Sequence, residues 1–246
     1  MIEDHLSGNG SMPYLVIFDL DGTLIDGSKV HEGGARKAIN QAKEEDNLTL
    51  NKTLEEIIEG QKGLTHEGFA KLIVKNSNKP NQSELVEKIA NIKQGYVQEH
   101  AGNVTLYEGV MEILPELKKA GIKTAIFTSS DKGYTRKVLE KYQVLKDNID
   151  YVLTGDNVKK PKPAPDGIYH IREKFKVPEN AIMVYVGDAR NDCESAQRAK
   201  EENPNLTFIL YNPDKKDIGT PLGKGDITIH TLAELLPLYL PSNISQ

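Results

Sequence analysis

The chain is poor in the features that mark disulfide-rich, membrane-spanning and nucleic-acid-binding proteins. It has one cysteine and no tryptophan in 246 residues, which excludes an intrachain disulfide framework and a cysteine-based zinc site. No apolar run approaches the ~20 residues that a membrane-spanning helix needs. Acidic residues outnumber basic ones by 36 to 31, so net charge offers no general attraction to nucleic acid.

What remains is the composition of an ordinary globular protein, with 38% hydrophobic and 27% charged residues. Residues 1–12 are polar and are expected to form a flexible arm. They lack the basic start and the apolar stretch of a signal peptide. We therefore expect a cytoplasmic monomer or homodimer with no nucleic-acid or membrane partner.

Strand-like and helix-like segments alternate along most of the chain. Tyr14–Phe18 is a short apolar run beside Asp-Gly turn chemistry, which predicts a buried strand. After Leu106, helical segments separate further apolar runs at 123–128, 151–154, 182–186, 206–210 and 227–229. This alternation predicts an α/β fold in which helices cover both faces of a mostly parallel sheet.

A long polar stretch interrupts this alternation after the first strand. Thr53-Leu-Glu-Glu56 is a capping-box pattern, and 67–75 and 83–100 carry apolar residues at helical spacing. We therefore expect a core domain built from 13–26 and 104–246, with an all-α domain inserted at 27–103.

Four predicted strands are followed directly by polar or charged residues. These are Asp19, Asp21, Gly22 and Thr23 after the first strand, Thr128 and Ser129 after the second, Lys160 and Lys162 after the third, and Asp188 and Asp192 after the fourth. Each group alone also fits a turn, a helix cap or a surface loop. Ligands bind at the carboxyl ends of the strands in open α/β sheets, so together the groups predict one shared site.

These residue types suit phosphoryl transfer. Clustered carboxylates repel one another unless a cation shares the site, and Mg²⁺ prefers oxygen ligands. Asp19 and Asp188 could bind Mg²⁺ through their carboxylates, and Asp21 through its backbone carbonyl. Asp19 could attack phosphorus, while Asp21 protonates the leaving oxygen and later activates water.

The phosphoryl group itself needs donors and positive charge. Lys162, together with the metal, could neutralise a bound phosphate dianion. Thr128 and neighbouring groups at Ser129, Gly22 and Thr23 could hold the phosphoryl oxygens, where charge must be stabilised during transfer.

These motifs resemble, in order, those of the haloacid dehalogenase superfamily, and within it the phosphoglycolate-phosphatase-like branch. The matching segments are Phe18–Leu24, Ile126–Ser129, Lys162–Asp166 and Val186–Asp192. The resemblance implies a magnesium-dependent aspartyl-phosphate mechanism, a doubly wound sheet whose first strand is central, and a small helical cap at 27–103.

The resemblance also assigns roles within two of the motifs. Lys162 is preferred to Lys160, because Lys-Pro-Ala-Pro-Asp is the closer motif match. Asp188 is expected to bind the metal directly. Asp192, one helical turn later, is expected to contact the ion through water or to orient Lys162.

Substrate choice is expected to depend on whatever closes over this site. The loop at 59–63 contains Gln61 and Lys62, which are the predicted specificity residues. The predicted substrate is a small phosphorylated metabolite such as 2-phosphoglycolate. A phosphosugar mutase, a phosphonate hydrolase using Lys62 and a non-catalytic phosphometabolite-binding protein remain alternatives.

Overall fold

A six-stranded parallel sheet forms the centre of the protein, seen here in a computed structural model that describes residues 12–217, 219 and 222–239. The predicted arm at 1–12 lies outside these residues, except for Met12. The described residues form eight strands, which are β1 (Leu15–Phe18), β2 (Ile25–Asp26), β3 (Thr105–Leu106), β4 (Lys123–Phe127), β5 (Tyr151–Leu153), β6 (Met183–Gly187), β7 (Leu206–Tyr211) and β8 (Ile227–Ile229).

The order of the main sheet is β5-β4-β1-β6-β7-β8, with all neighbours parallel. The chain therefore starts in the middle and winds outward in both directions, which confirms the predicted doubly wound fold. Phe18, at the end of β1, pairs with Ile126 on β4 and with Val186 on β6. Because of this register, the residues that follow all three strands meet at one edge.

Four helices lie between β2 and β3 and form a segment that we call the helical insert. They are α1 (Ser28–Asp46), α2 (Leu54–Glu59), α3 (His66–Lys75) and α4 (Ser83–Glu99). The predicted capping box at Thr53 begins α2 and is confirmed. The insert has its own apolar cluster, in which Ile39, Ile73 and Ile89 are fully buried.

The remaining helices cover the two faces of the sheet. They are α5 (Val110–Lys119), α6 (Lys132–Lys141), α7 (Gln143–Asn148), α8 (Asp166–Lys174), α9 (Arg190–Ala199) and α10 (Leu235–Tyr239). Successive side chains of a strand point to opposite faces. Val16 and Phe18 accordingly pack into one apolar cluster, and Leu15 and Ile17 pack into the other.

A separate two-stranded antiparallel ribbon joins the two parts of the chain. It pairs Ile25 on β2 with Leu106 on β3, and Asp26 with Thr105. The chain leaves the core and returns to it at this ribbon. Among the described helices, none has the length and apolar character required to cross a bilayer.

Candidate active site

Lys162 is buried at the centre of the predicted site. Its Nζ donates to Asp19 Oδ1 and to Asp192 Oδ1, each at 2.7 Å. Burial alone would lower the pKa of Lys162, but the charges of Asp19 and Asp192 outweigh burial and raise it above its usual value. Lys160 is exposed. The structure therefore places Lys162, and not Lys160, beside the expected nucleophile.

Asp192 positions this lysine from the first turn of α9. Its Oδ1 accepts from Lys162 and from the Tyr185 hydroxyl, while its Oδ2 accepts from the Ala189 N–H at 3.0 Å. Both carboxylate oxygens are thus bonded within the protein. This arrangement fits the expectation that Asp192 orients Lys162.

Three carboxylates form a compact group at this edge of the sheet. Asp19, Asp188 and Asp192 each place one oxygen within 4.8 Å of the others. Burial, together with the charges of Asp19 and Asp192, raises the pKa of Asp188 well above its usual value. Burial raises the pKa of Asp19 to about 7, with Lys162 opposing the shift and Asp192 adding to it. A hard divalent cation would relieve this repulsion, so the donor set fits Mg²⁺.

The loop after β1 holds Asp188 in place. The Thr23 hydroxyl donates to Asp188 Oδ1 at 3.2 Å. Gly22 has φ +90°, and a Cβ at this position would lie 2.2 Å from Asp188 Oδ2, so only glycine fits. The Gly22 N–H donates to the Ile25 carbonyl. In this structure Gly22 and Thr23 use these groups to shape the loop and to hold Asp188, and their role in binding phosphate stays a prediction.

The Asp21 carboxylate points to a different set of partners. Its Oδ1 is 3.0 Å from His31 Nε2 and accepts from the Tyr134 hydroxyl at 2.6 Å, while its Oδ2 accepts from the Ser130 hydroxyl at 2.7 Å. Burial alone would raise the pKa of Asp21, but His31, Tyr134 and Ser130 lower it below its usual value. The side-chain partners of Asp21 are therefore distinct from those of the group of three carboxylates, and the role of its backbone carbonyl as a metal ligand stays a prediction.

Sequence reasoning did not identify these three partners of Asp21. His31 lies ten residues after Asp21, in the first turn of α1, whereas Ser130 and Tyr134 lie more than 100 residues away. The available signal was the proximity of His31 to the first motif. Ser130 and Tyr134 carried no separate signal, because their placement depends on how β4 and α6 pack beside β1.

The second motif lies beneath the helical insert. Thr128 is buried, and its Oγ1 accepts from the Ser130 N–H at 3.0 Å. The Ser129 hydroxyl donates to the Gly63 carbonyl at 2.8 Å, and Asn191 Nδ2 donates to the same carbonyl at 3.1 Å. The loop that contains the predicted specificity residues thus contacts the core directly.

The two predicted specificity residues have different environments. Gln61 is buried, and its Oε1 has no hydrogen-bond partner among the described residues. Lys62 is exposed and forms an ion pair with Glu59 at 2.6 Å. The structure therefore buries Gln61, two residues before the Gly63 contacts with the core, and places Lys62 at the surface.

Comparisons with known proteins identify the family. Residues 16–202 match the family model described as haloacid dehalogenase-like hydrolase. The chain is 28% identical over 237 residues to pyrophosphatase PpaX of Bacillus cereus, covering 94% of this chain and 98% of that one. It is 27% identical over 229 residues to phosphoglycolate phosphatase 1 of Pseudomonas aeruginosa, covering 92% and 79%.

Solved structures have the same fold. One is a putative haloacid dehalogenase-like hydrolase from Bacteroides fragilis, with TM-score 0.75, 20% identity and coverage of 91% of this chain and 99% of that one. Another is CbbY from Rhodobacter sphaeroides in complex with phosphate, with TM-score 0.73, 19% identity and coverage of 93% and 99%. Since the family model spans most of the sequence, the chain belongs to the haloacid dehalogenase-like hydrolases, which confirms both the resemblance and the prediction of a hydrolytic enzyme.

Proposed function

We propose that the protein is a Mg²⁺-dependent phosphomonoester hydrolase that acts on a small phosphorylated metabolite through an aspartyl-phosphate intermediate. The observation that carries this proposal is the placement of Lys162, which bridges Asp19 and Asp192 beside Asp188. One cation and three carboxylates at the carboxyl end of a central strand suit the transfer of a charged phosphoryl group.

Asp19 is the nucleophile in this mechanism. Lys162 holds Asp19 Oδ1, while no described residue forms a hydrogen bond with Oδ2. Oδ2 is therefore the oxygen that attacks phosphorus, forming the Asp19–phosphoryl bond as the bond to the leaving oxygen breaks. Bound by Asp19, Asp188 and the Asp21 backbone carbonyl, Mg²⁺ would supply positive charge to the phosphoryl oxygens and to the clustered carboxylates.

Thr128 and Lys162 provide further stabilisation of the phosphoryl group. The Thr128 hydroxyl and the backbone N–H groups near Ser129 donate to phosphoryl oxygens on the side of β4. Lys162 offers its positive charge from the side of β6. Fixed donors of this kind need no rearrangement as charge develops, which is why they lower the barrier.

Asp21 is the proton-transfer residue. Protonated, it gives its proton to the leaving oxygen; as a carboxylate, it then removes a proton from the water that hydrolyses the phosphoryl-Asp19 bond. His31, Tyr134 and Ser130 fix its direction through three hydrogen-bond contacts. These partners favour the carboxylate form of Asp21. The ligand-free protein therefore holds Asp21 in the form that activates water.

The relatives support a small substrate. One is named a pyrophosphatase and another a phosphoglycolate phosphatase. We propose that the helical insert, at 27–103, acts as a cap over the site and places Gln61 near the leaving group. A compact, charged phosphate ester such as 2-phosphoglycolate fits a site closed by the Gly63 contacts with Ser129 and Asn191.

A phosphometabolite screen tests this function. The purified protein is assayed for phosphate release with Mg²⁺ and with EDTA, beside Asp19→Asn as the matched control. We expect Mg²⁺-dependent turnover by the wild type and none by the variant. Equal activity of the two proteins, or inactivity of the wild type across the panel, would contradict the proposal. Product analysis with a hexose 1-phosphate separates hydrolysis from a mutase reaction.

A further inference from the structure

Lys93, on α4, is a buried cation without an anionic partner. It is 2% exposed, and its Nζ lies 4.2 Å from the centroid of the Phe69 ring. Among the described residues, no carboxylate pairs with it and no hydrogen bond is formed by its ammonium group. Lysine is rarely buried without a partner, because removing its charge from water is costly. Burial lowers the pKa of Lys93 to about 7, with the charge of Asp21 acting in the opposite direction.

On one side, Lys93 packs against the helix that reaches Asp21. A Cβ at Gly34 would lie 3.3 Å from Lys93 Cγ and 3.2 Å from the Lys93 carbonyl oxygen, so α1 and α4 approach closely here. Gly34 lies three residues after His31, which contacts Asp21. Residues three apart in a helix share a face, so Lys93 lies about one turn from the contact with the proton-transfer residue.

On the other side, Lys93 packs against the helix that reaches Asp131. Phe69, whose ring faces the ammonium group, lies three residues after His66 on α3. His66 Nε2 is 3.0 Å from Asp131 Oδ2 in the core. The charge of Lys93 also contributes to lowering the pKa of His66, after the larger effect of burial. Lys93 is therefore enclosed by α1 and α3, each of which contacts the core through a histidine, at Asp21 and at Asp131.

We propose that Lys93 binds a second anionic group of the substrate, a carboxylate or a second phosphate, on the side of the leaving group. This inference rests on the proposed phosphatase function and names its substrate class as small phosphate esters or anhydrides with a second negative charge. Asp21 acts on the leaving oxygen, and Lys93 packs against α1, the helix whose His31 contacts Asp21. An anion at this position completes a buried charge pair, which is a strong interaction once water is excluded.

A structural role for Lys93 makes a different prediction. If the ammonium group serves only to contact Phe69, an apolar side chain of the same length disturbs folding or leaves catalysis unchanged. If it binds substrate, the same change affects anionic and neutral leaving groups unequally. The experiment therefore compares substrates as well as variants.

The test uses Lys93→Met in the full chain. Phosphate release is measured with 2-phosphoglycolate, with inorganic pyrophosphate and with 2-hydroxyethyl phosphate, whose leaving group is neutral. The wild type is expected to prefer one of the anionic substrates in kcat/KM. In Lys93→Met this preference falls about 10- to 100-fold, mainly through KM, as expected for loss of a charge-assisted hydrogen bond. Lys93→Arg keeps most of the preference.

Lys71→Met is the matched control. Lys71 lies on α3, is exposed and pairs with Glu67, so its loss is expected to leave the substrate preference unchanged. An unchanged preference in a folded Lys93→Met protein overturns the proposal, and so does a wild type that favours the neutral leaving group. If Lys93→Met does not fold, the kcat/KM values of the wild type for anionic and neutral leaving groups decide whether the proposal stands. If the variant loses its preference for 2-phosphoglycolate, the group that Lys93 binds is a carboxylate. If it loses its preference for pyrophosphate, that group is a second phosphate.

Failure of the proposed function gives a separate result. A wild type inactive on all three compounds contradicts hydrolysis but does not decide the role of Lys93. Calorimetric binding of 2-phosphoglycolate and 2-hydroxyethyl phosphate to wild type and Lys93→Met then tests the lysine directly. Weaker binding of only the carboxylate compound by the variant supports the proposal, and equal affinities in the two proteins overturn it.

Discussion

His31 Nε2, on the first helix of the insert, lies 3.0 Å from Asp21 Oδ1 in the core. The insert therefore contacts the residue to which we assign proton transfer. Tyr134 and Ser130 bind the same carboxylate from the core side. The direction of Asp21 thus depends on both parts of the chain.

Replacing His31 by alanine is expected to lower kcat about 10- to 100-fold, because Asp21 loses one of three contacts that orient it. The Mg²⁺ concentration for half-maximal activity is expected to change little, since the contact of the imidazole is with the Asp21 side chain and not with Asp19, Asp188 or Asp192. His100→Ala, at the end of α4 and stacked on Tyr96, is the control and is expected to retain activity. A normal kcat for His31→Ala would refute the positioning role.

Lys162→Met is expected to lower kcat/KM by at least about 100-fold, because a charged donor beside the nucleophile is removed. Lys160→Met provides a close control, since Lys160 is only two residues away and exposed. It is expected to behave like the wild type in the same phosphate-release assay. Similar losses in the two variants would show that the buried contacts of Lys162 do not determine activity.

Mg²⁺ is expected to raise the melting temperature, because the cation relieves repulsion among Asp19, Asp188 and Asp192. A ligand at 100 times its Kd stabilises a protein by about 2.7 kcal/mol, roughly 5 to 10 °C for a chain of this size. Asp188→Asn is expected to lose this response and, in EDTA, to melt no lower than the wild type. Asp214→Asn, at an exposed ion pair with Lys216, serves as the control in the same melting experiment.

Asp131 is expected to make stability depend on pH in the acid range. Burial alone would raise the pKa of Asp131, but hydrogen bonds from His66, Gln98 and the Tyr134 N–H lower it from 3.8 to about 2. A group with a depressed pKa in the folded state stabilises the protein above its unfolded-state pKa. That contribution is lost as pH falls through the folded-state value.

Urea unfolding of wild type and Asp131→Asn measures this contribution. The wild type is expected to be more stable at pH 6 by about 2 kcal/mol, and by about half as much at pH 3. Asp147→Asn, at an exposed position on α7, is expected to show no such difference. A difference for Asp131→Asn that stays constant between pH 6 and pH 3 would contradict this origin of the stability.

The sequence was sufficient to predict the strands of the main sheet, because each is a short apolar run bounded by turns. It did not predict the ribbon of β2 and β3 or the six-residue helix α7. Strands of two residues are too short to show periodicity, and β2 and β3 pair across about 80 residues. Their formation depends on where the rest of the chain brings them.

The residues of the site also divide into those that the sequence predicted and those that it did not. Asp19, Lys162, Asp188 and Asp192 lie in recognisable motifs, and the parallel sheet brings those motifs together. Lys93 has no such motif, and its sequence neighbourhood resembles any amphipathic helix. Its burial becomes apparent only when α1, α3 and α4 pack around it.

The ribbon of β2 and β3 also limits how the two parts of the protein can move. The chain crosses between core and insert twice, and the two crossings are hydrogen-bonded side by side. A paired connection resists twisting and stretching more than a single strand does, and it bends most easily about one axis. Repeated opening would therefore follow one path, and each closure would return His31 to the same carboxylate.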